Sequence, residues 1–207
     1  MQFLDREHAA RRLAAALSEY QGKHPLVLAI PRGAVAMGRI IADVLGGELD
    51  VVLVRKLSAP YDPEFAIGSV DEAGWVYVSE SATAAGATPD YLAHEKQRQL
   101  ATLQRRRAEY TPLRQPIDPG GRVVIVVDDG LATGATMIAA LHGLRERQPA
   151  WLVCAVPVAP LDTLERVRQY ADDVVCLETP FSFHAVGRFY LDFPQVEDAT
   201  VVEILRR

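Results

Sequence analysis

Apolar positions along the chain follow two rhythms. LVLAI (26–30), VVLV (51–54), VVIVV (123–127), LVCAVPV (152–158) and DVVCL (173–177) are short continuous apolar runs. Their length and β-branched content predict strands buried on both faces. Between them the spacing turns helical. Gly38, Ile41, Ala42 and Leu45 share one face, as do Met137, Ala140, Leu141 and Leu144, and, less cleanly, Leu161, Leu164 and Val167 with Arg168. Residues 5 to 20 predict an amphipathic helix with Ala9, Leu13 and Leu17 on its packed side and Arg6, Arg11 and Glu19 in solvent. Buried strands alternating with amphipathic helices predict an α/β fold, with a mostly parallel sheet and helices on both faces.

From 57 to 118 this alternation stops. AIGSV (66–70) and WVYV (75–78), joined by Asp71-Glu72-Ala73-Gly74, predict a hairpin. Thr88-Pro89-Asp90 then supplies a helix start, with Thr88 as N-cap and Pro89 in the first turn, for a helix running to about Tyr110. That helix is polar apart from Leu92, Leu100 and Leu103, so it is expected on the surface or in a movable flap. Lys96, Arg98, Arg105, Arg106, Arg107 and Arg114 make this part of the chain locally basic, and a solvated face is the simpler reading of such a run, with phosphate contact as the alternative. After Cys176 the chain gathers Phe181, Phe183, Phe189, Tyr190 and Phe193 in a short span.

Composition narrows the function classes. The 207 residues suffice for one sizeable domain, and 49% hydrophobic with 24% charged residues is ordinary for a globular protein. The formal net charge of −5 disfavours nucleic acid and anionic membrane as partners, so an anionic ligand must be drawn by a local cluster. Cys154 and Cys176 lie inside apolar runs without metal-site or redox spacing and read as small core residues. The charged N-terminal stretch lacks a signal-peptide core, and no run approaches a membrane span. A cytoplasmic location is expected.

The chemistry concentrates in VVIVVDDGLATGAT (123–136). Two adjacent carboxylates, Asp128 and Asp129, end a buried strand where ligands of parallel sheets bind. The following loop of Gly, Ala and Thr leads into a helix, so its backbone N–H groups form an anion site. Carboxylates beside a phosphate cradle suit a sugar phosphate. A solvated strand end, a Walker B strand and a D-x-D-x-T phosphatase are the competing readings; the chain has no preceding P-loop, and DDGLAT does not fit the phosphatase spacing.

The segment resembles the phosphoribosyl pyrophosphate (PRPP) signature of type I phosphoribosyltransferases. The resemblance implies that Asp128 and Asp129 bind the ribose hydroxyls and that Ala132, Thr133, Gly134, Ala135 and Thr136 hold the 5′-phosphate. IPRGAVAMG (30–38) resembles the family's pyrophosphate loop at Arg32, Gly33 and Ala34, and VRKL (54–57) places Arg55 and Lys56 where many members contact the pyrophosphate. Mg²⁺ is implied as cofactor, held mainly by substrate and water, near Asp128 and Asp129. The tail FHAVGRFYLDF (183–193) is similar to the hood of 6-oxopurine phosphoribosyltransferases, which implies Phe183 or His184 as the base-stacking surface. The lysine that reads the 6-oxo group in those enzymes has no counterpart in ETPFSF (178–183), so the acceptor is open. The expected organisation is a single domain over 1–207, with a flap at 57–118 and a hood at 178–207. The expected activity is Mg-dependent ribosyl transfer from PRPP to a nitrogenous acceptor, a nucleobase first among candidates. A PRPP-sensing regulator and transfer to a non-base acceptor are the alternatives, and a homo-oligomer is compatible with either.

Overall fold

A computed structural model of the chain describes residues 2–63, 65–110, 112 and 116–206. Arg114 of the basic stretch lies outside them. Five strands form one parallel sheet: β1 (Leu26–Ala29), β2 (Glu48–Val51), β6 (Val123–Val127), β7 (Trp151–Val158) and β8 (Asp173–Glu178), in the order β2-β1-β6-β7-β8. Alternate residues of the central strands enter two different cores. Val27, Ala29, Ile125, Val127, Val153 and Ala155 face one. Leu26, Leu28, Val124, Val126, Leu152, Cys154 and Val156 face the other. Continuous apolar runs are what such double burial requires.

Helices cover both faces. α1 (Arg6–Ala16) and α2 (Ala34–Leu45) pack on the first core, and α4 (Ala135–Arg145) and α5 (Leu161–Val167) on the second. α1 starts where Asp5 accepts the His8 backbone N–H at 2.7 Å, an N-cap that sets Arg6 as the first helical residue. Cys154 is buried and Cys176 half-buried, both as free thiols on neighbouring strands; burial pushes the Cys176 thiol up to about 11.

One strand expectation needs correction. The run 51–54 is not one strand. It straddles the end of β2 and the start of β3 (Val54–Ser58), which belongs to a second, antiparallel sheet with β4 (Ala66–Asp71) and β5 (Val76–Val78). An apolar run is blind to a bend when both halves are buried. The segment 57–118 packs on the rest of the chain. Ser69, fully buried, donates its hydroxyl to the Ala135 carbonyl at 2.6 Å, which pins β4 to the start of α4. α3 (Pro89–Tyr110) lies on β3 and buries Glu95, Gln99, Leu103 and Tyr110. Thr88 caps it by accepting the Tyr91 N–H at 3.2 Å, and the Tyr91 hydroxyl donates to the Ser58 carbonyl at 2.7 Å.

The tail folds back over the carboxyl ends of the main sheet. Phe3 and Leu4 exchange backbone hydrogen bonds with residues 189–192, so segments distant in sequence close together above the sheet. A final helix, α6 (Asp198–Leu205), whose pattern is too short to stand out in the sequence, returns to bury Val201 and Leu205 in the first core.

Candidate active site

Strand order fixes the place of the site. From β1 the chain moves one way to β2, while β6 pairs on the other flank of β1, and the crevice beyond a reversal of this kind is where open parallel sheets bind ligands. A cleft of about 260 Å³ opens there. Its walls come from the turn after β1 (Ile30 to Gly33), the β3 residues Val54, Arg55 and Lys56, the β6 end at Asp128 and Asp129, Thr136 at the first turn of α4, and Arg106 of α3.

The acidic pair is held closely. The Asp129 backbone N–H donates to Asp128 Oδ1 at 2.9 Å, and Arg6 Nε donates to Asp129 Oδ2 at 2.8 Å. Arg6 thus contradicts its expected place in solvent: only 14% of its side chain is exposed, its guanidinium lies 3.7 Å above the Phe193 ring, and its Nη1 donates to the Pro194 carbonyl at 2.7 Å. The Tyr190 hydroxyl donates to the Asp129 carbonyl at 2.6 Å. Burial, reinforced by the neighbouring Asp129 charge, holds the Asp128 carboxyl well above the usual range. Burial also raises Asp129, against the opposing pull of Arg6.

Gly33 explains how the turn after β1 comes so near. A Cβ built on it would lie 2.1 Å from Asp129 Oδ2 and 3.1 Å from Arg6 Nε, so any side chain would displace the ion pair. The Pro31–Arg32 peptide is cis. The Arg32 guanidinium reaches the tail, 3.6 Å from Asp198 and 3.8 Å from Glu197. Ala34 is fully buried as the first residue of α2, so its side chain does not reach the cleft.

The loop 130–136 is shaped by packing on both sides. Gly134 sits at φ +73° as the N-cap of α4, and a Cβ there would meet Thr163 at 2.8 Å. Thr163 donates to the Ala132 carbonyl at 2.8 Å, while Ala132 and Thr133 stay exposed. Thr136 alone of the five loop residues singled out in the sequence lines the cleft; Ala132, Thr133, Gly134 and Ala135 form the loop that leads into it. At Gly130 a Cβ would lie 2.6 Å from Val186, which places the Val186-Gly187 pair of the tail directly on the acidic motif. Phe183 stacks on Phe189 at 5.2 Å, and His184 is exposed beside Ser182. Neither Phe183 nor His184 lines the cleft itself.

Residues 2–194 match the family model of the phosphoribosyl transferase domain. The chain belongs to the phosphoribosyl transferase family. It is 42% identical over 207 residues to a Mycobacterium tuberculosis protein named "Putative phosphoribosyl transferase", covering 99% of this chain and 46% of that one. The chain therefore spans about half the length of the curated relatives it matches. The crystal structure of TT1426 from Thermus thermophilus superposes with a TM-score of 0.83 at 45% identity, over 100% of this chain and 98% of that one. A Neisseria gonorrhoeae protein crystallised with bound ppGpp superposes at 0.50 with 12% identity, over 99% and 97% of the two chains, a likeness of fold alone. No helix among the described residues is long and apolar enough to cross a membrane.

Five residues of the site and its supports were not assigned to it from the sequence: Arg6, Tyr190, Arg106 and the α3 pair Glu95 and Gln99. Of these only the α3 residues left a signal, since 95, 99, 103, 106 and 110 recur at helical spacing along one face.

Proposed function

We propose that this phosphoribosyl transferase family member moves the ribose 5-phosphate group of PRPP to a nitrogenous acceptor, a nucleobase first among candidates, with release of pyrophosphate. The observation that carries the reading is the composition of one cleft, lined by an acidic pair, by Arg55, Lys56 and Arg106, and by the turn at Arg32-Gly33. As the bond from ribose C1 to pyrophosphate stretches, the ring becomes cationic and the leaving group gains negative charge. Groups of opposite sign fixed at the two ends stabilise both changes without reorganising. Asp128 and Asp129 would bind the ribose hydroxyls and oppose the ring charge. The loop 132–136, ending at the α4 N-terminus, would take the 5′-phosphate.

Mg²⁺ fits this donor set as an ion carried by substrate. Among the described residues no three His, Cys, Asp or Glu side chains converge as a metal site, whereas Asp128 and Asp129 line the cleft. Carried in by the substrate, with Asp128 and Asp129 as the nearby residues, the ion would supply positive charge that neutralises the leaving group. The acceptor would approach from the opposite side, beneath the tail that rests on Gly130 through Val186, with Phe183 or His184 as its aromatic neighbour.

The test is calorimetric titration of PRPP with Mg²⁺, followed by a panel of purine and pyrimidine bases with pyrophosphate release as readout. Binding with release for one base is expected. Binding without release for any base or amine would make the protein a PRPP sensor, and no PRPP binding at all would remove the proposal.

A further inference from the structure

α3 carries polar residues on the face where a packed helix ordinarily carries apolar ones. Glu95 is 4% exposed and Gln99 6%, and both point at β3. Buried polar groups are costly unless bonded, and these are bonded in a chain. Arg98 donates twice to Glu95 at 2.8 Å, and Gln99 Nε2 donates to Glu95 Oε1 at 2.9 Å. Gln99 Oε1 then accepts from Arg55 Nε at 3.0 Å. The chain therefore ends on Arg55, a residue that lines the cleft, with its Nε fixed.

Arg106 lies seven residues beyond Gln99, about two helical turns, so it occupies the same inward face and reaches the same cleft. Its neighbours on the helix behave differently. Arg98 is paired with Glu95, Arg107 with Glu72, and Arg105 donates to Thr102. Arg106 has no carboxylate partner among the described residues. Arg55 is pushed below the usual arginine value, first by burial and then by the charges of Arg106, Arg98 and Arg32, as expected where cations crowd a site meant for an anion.

We propose that α3 is a built part of the pyrophosphate end of the cleft: Arg106 contacts the leaving pyrophosphate beside Arg55, and the Gln99–Glu95 pair is the positioning device that holds the Arg55 guanidinium. This rests on the transferase reading above and deepens it. It gives the inward face of α3 a role in the site and makes the segment after the hairpin a source of binding charge. It also accounts for a helix that buries a glutamate and a glutamine where leucines would pack.

The experiment titrates the whole chain with inorganic pyrophosphate and, separately, with ribose 5-phosphate, Mg²⁺ held constant, in the native protein, Arg106→Gln and Gln99→Leu. Arg106→Gln should lower pyrophosphate affinity by roughly tenfold or more, the weight of one charge-assisted hydrogen bond, with ribose 5-phosphate affinity unchanged. Gln99→Leu should lower pyrophosphate affinity by a smaller factor with the same selectivity, whereas general damage to the fold would weaken both ligands together. Native pyrophosphate affinity in Arg106→Gln, or equal losses for both ligands in the two variants, would overturn the assignment while leaving the transferase reading intact. A native protein that binds neither ligand would overturn both.

Discussion

Asp128 is held at the end of β6 by the Asp129 backbone N–H, with the Asp129 charge beside it. A carboxylate raised by burial and by the charge of Asp129 opposes folding once it ionises. The folded protein then holds its proton more tightly than the unfolded chain. Stability is consequently full below the ordinary carboxylate range and falls as pH rises from there toward the raised folded value. Asp128→Asn removes that loss, so the variant should melt higher than the native protein at pH 7 to 8 without divalent metal, by about 2–4 °C for each kcal/mol recovered, and the gain should vanish below about pH 4. The same substitution should weaken PRPP binding by about 1.5–3 kcal/mol. Scanning calorimetry across pH, paired with titration of PRPP, checks both; a variant less stable at pH 8 than the native chain would mean that Asp128 is a structural anchor. Arg6 belongs to the same scale. Its bond to Asp129 spans 123 positions, so no local pattern could reveal it, and helical spacing alone assigned it to solvent. The acidic pair was legible because its motif is contiguous, while the residue that holds it was not.

At the scale of elements, legibility follows the range of the forces involved. β1, β6 and β7 are readable because burial on both faces forces an uninterrupted apolar run, β8 keeps such a run although it is only half-buried at the sheet edge, and α3 announces its start through Thr88 and Pro89. The division of 51–54 between two sheets is not readable, since a bend between two buried strands changes neither composition nor spacing. α3 was half legible. Its low apolar content suggested exposure, yet the periodic placement of Glu95, Gln99, Leu103 and Tyr110 marks a packed face that happens to be polar. The loop into α4 carries its own test. Gly134 combines φ +73° with a neighbour at 2.8 Å, so Gly134→Val is strained in backbone and in space. On the proposed reading, which puts the two anions at opposite ends of the cleft, the variant should lose ribose 5-phosphate affinity, by roughly tenfold or more, while pyrophosphate affinity is retained. Calorimetry with each ligand separates them. Native affinity for ribose 5-phosphate would move the 5′-phosphate site away from this loop.

Across the whole molecule, segments from the two ends of the chain meet above the crevice between β1 and β6. Phe3, fully buried, packs its ring against Tyr190 with centroids 5.4 Å apart, and the backbones of residues 3–4 and 189–192 bond to each other. Tyr190 in turn donates to the Asp129 carbonyl, and Arg6, three residues after Phe3, grips the Asp129 side chain. The closure above the sheet and the acidic pair therefore form one packed unit, although none of Phe3, Arg6 and Tyr190 lines the cleft itself. Phe3→Ala should cost about 3–5 kcal/mol of stability through the cavity it leaves. Its more specific effect concerns ligand binding. A ligand that binds only the folded state raises the melting temperature according to its concentration relative to Kd, so the shift produced by PRPP with Mg²⁺ reports affinity independently of where the unliganded variant melts. If the closure holds Asp129 in its binding geometry, that shift should be clearly smaller in Phe3→Ala than in the native protein at equal PRPP. If the shifts are equal, the segments above the sheet contribute to folding alone, and the geometry of Asp129 is set by β6 and Gly33 without them.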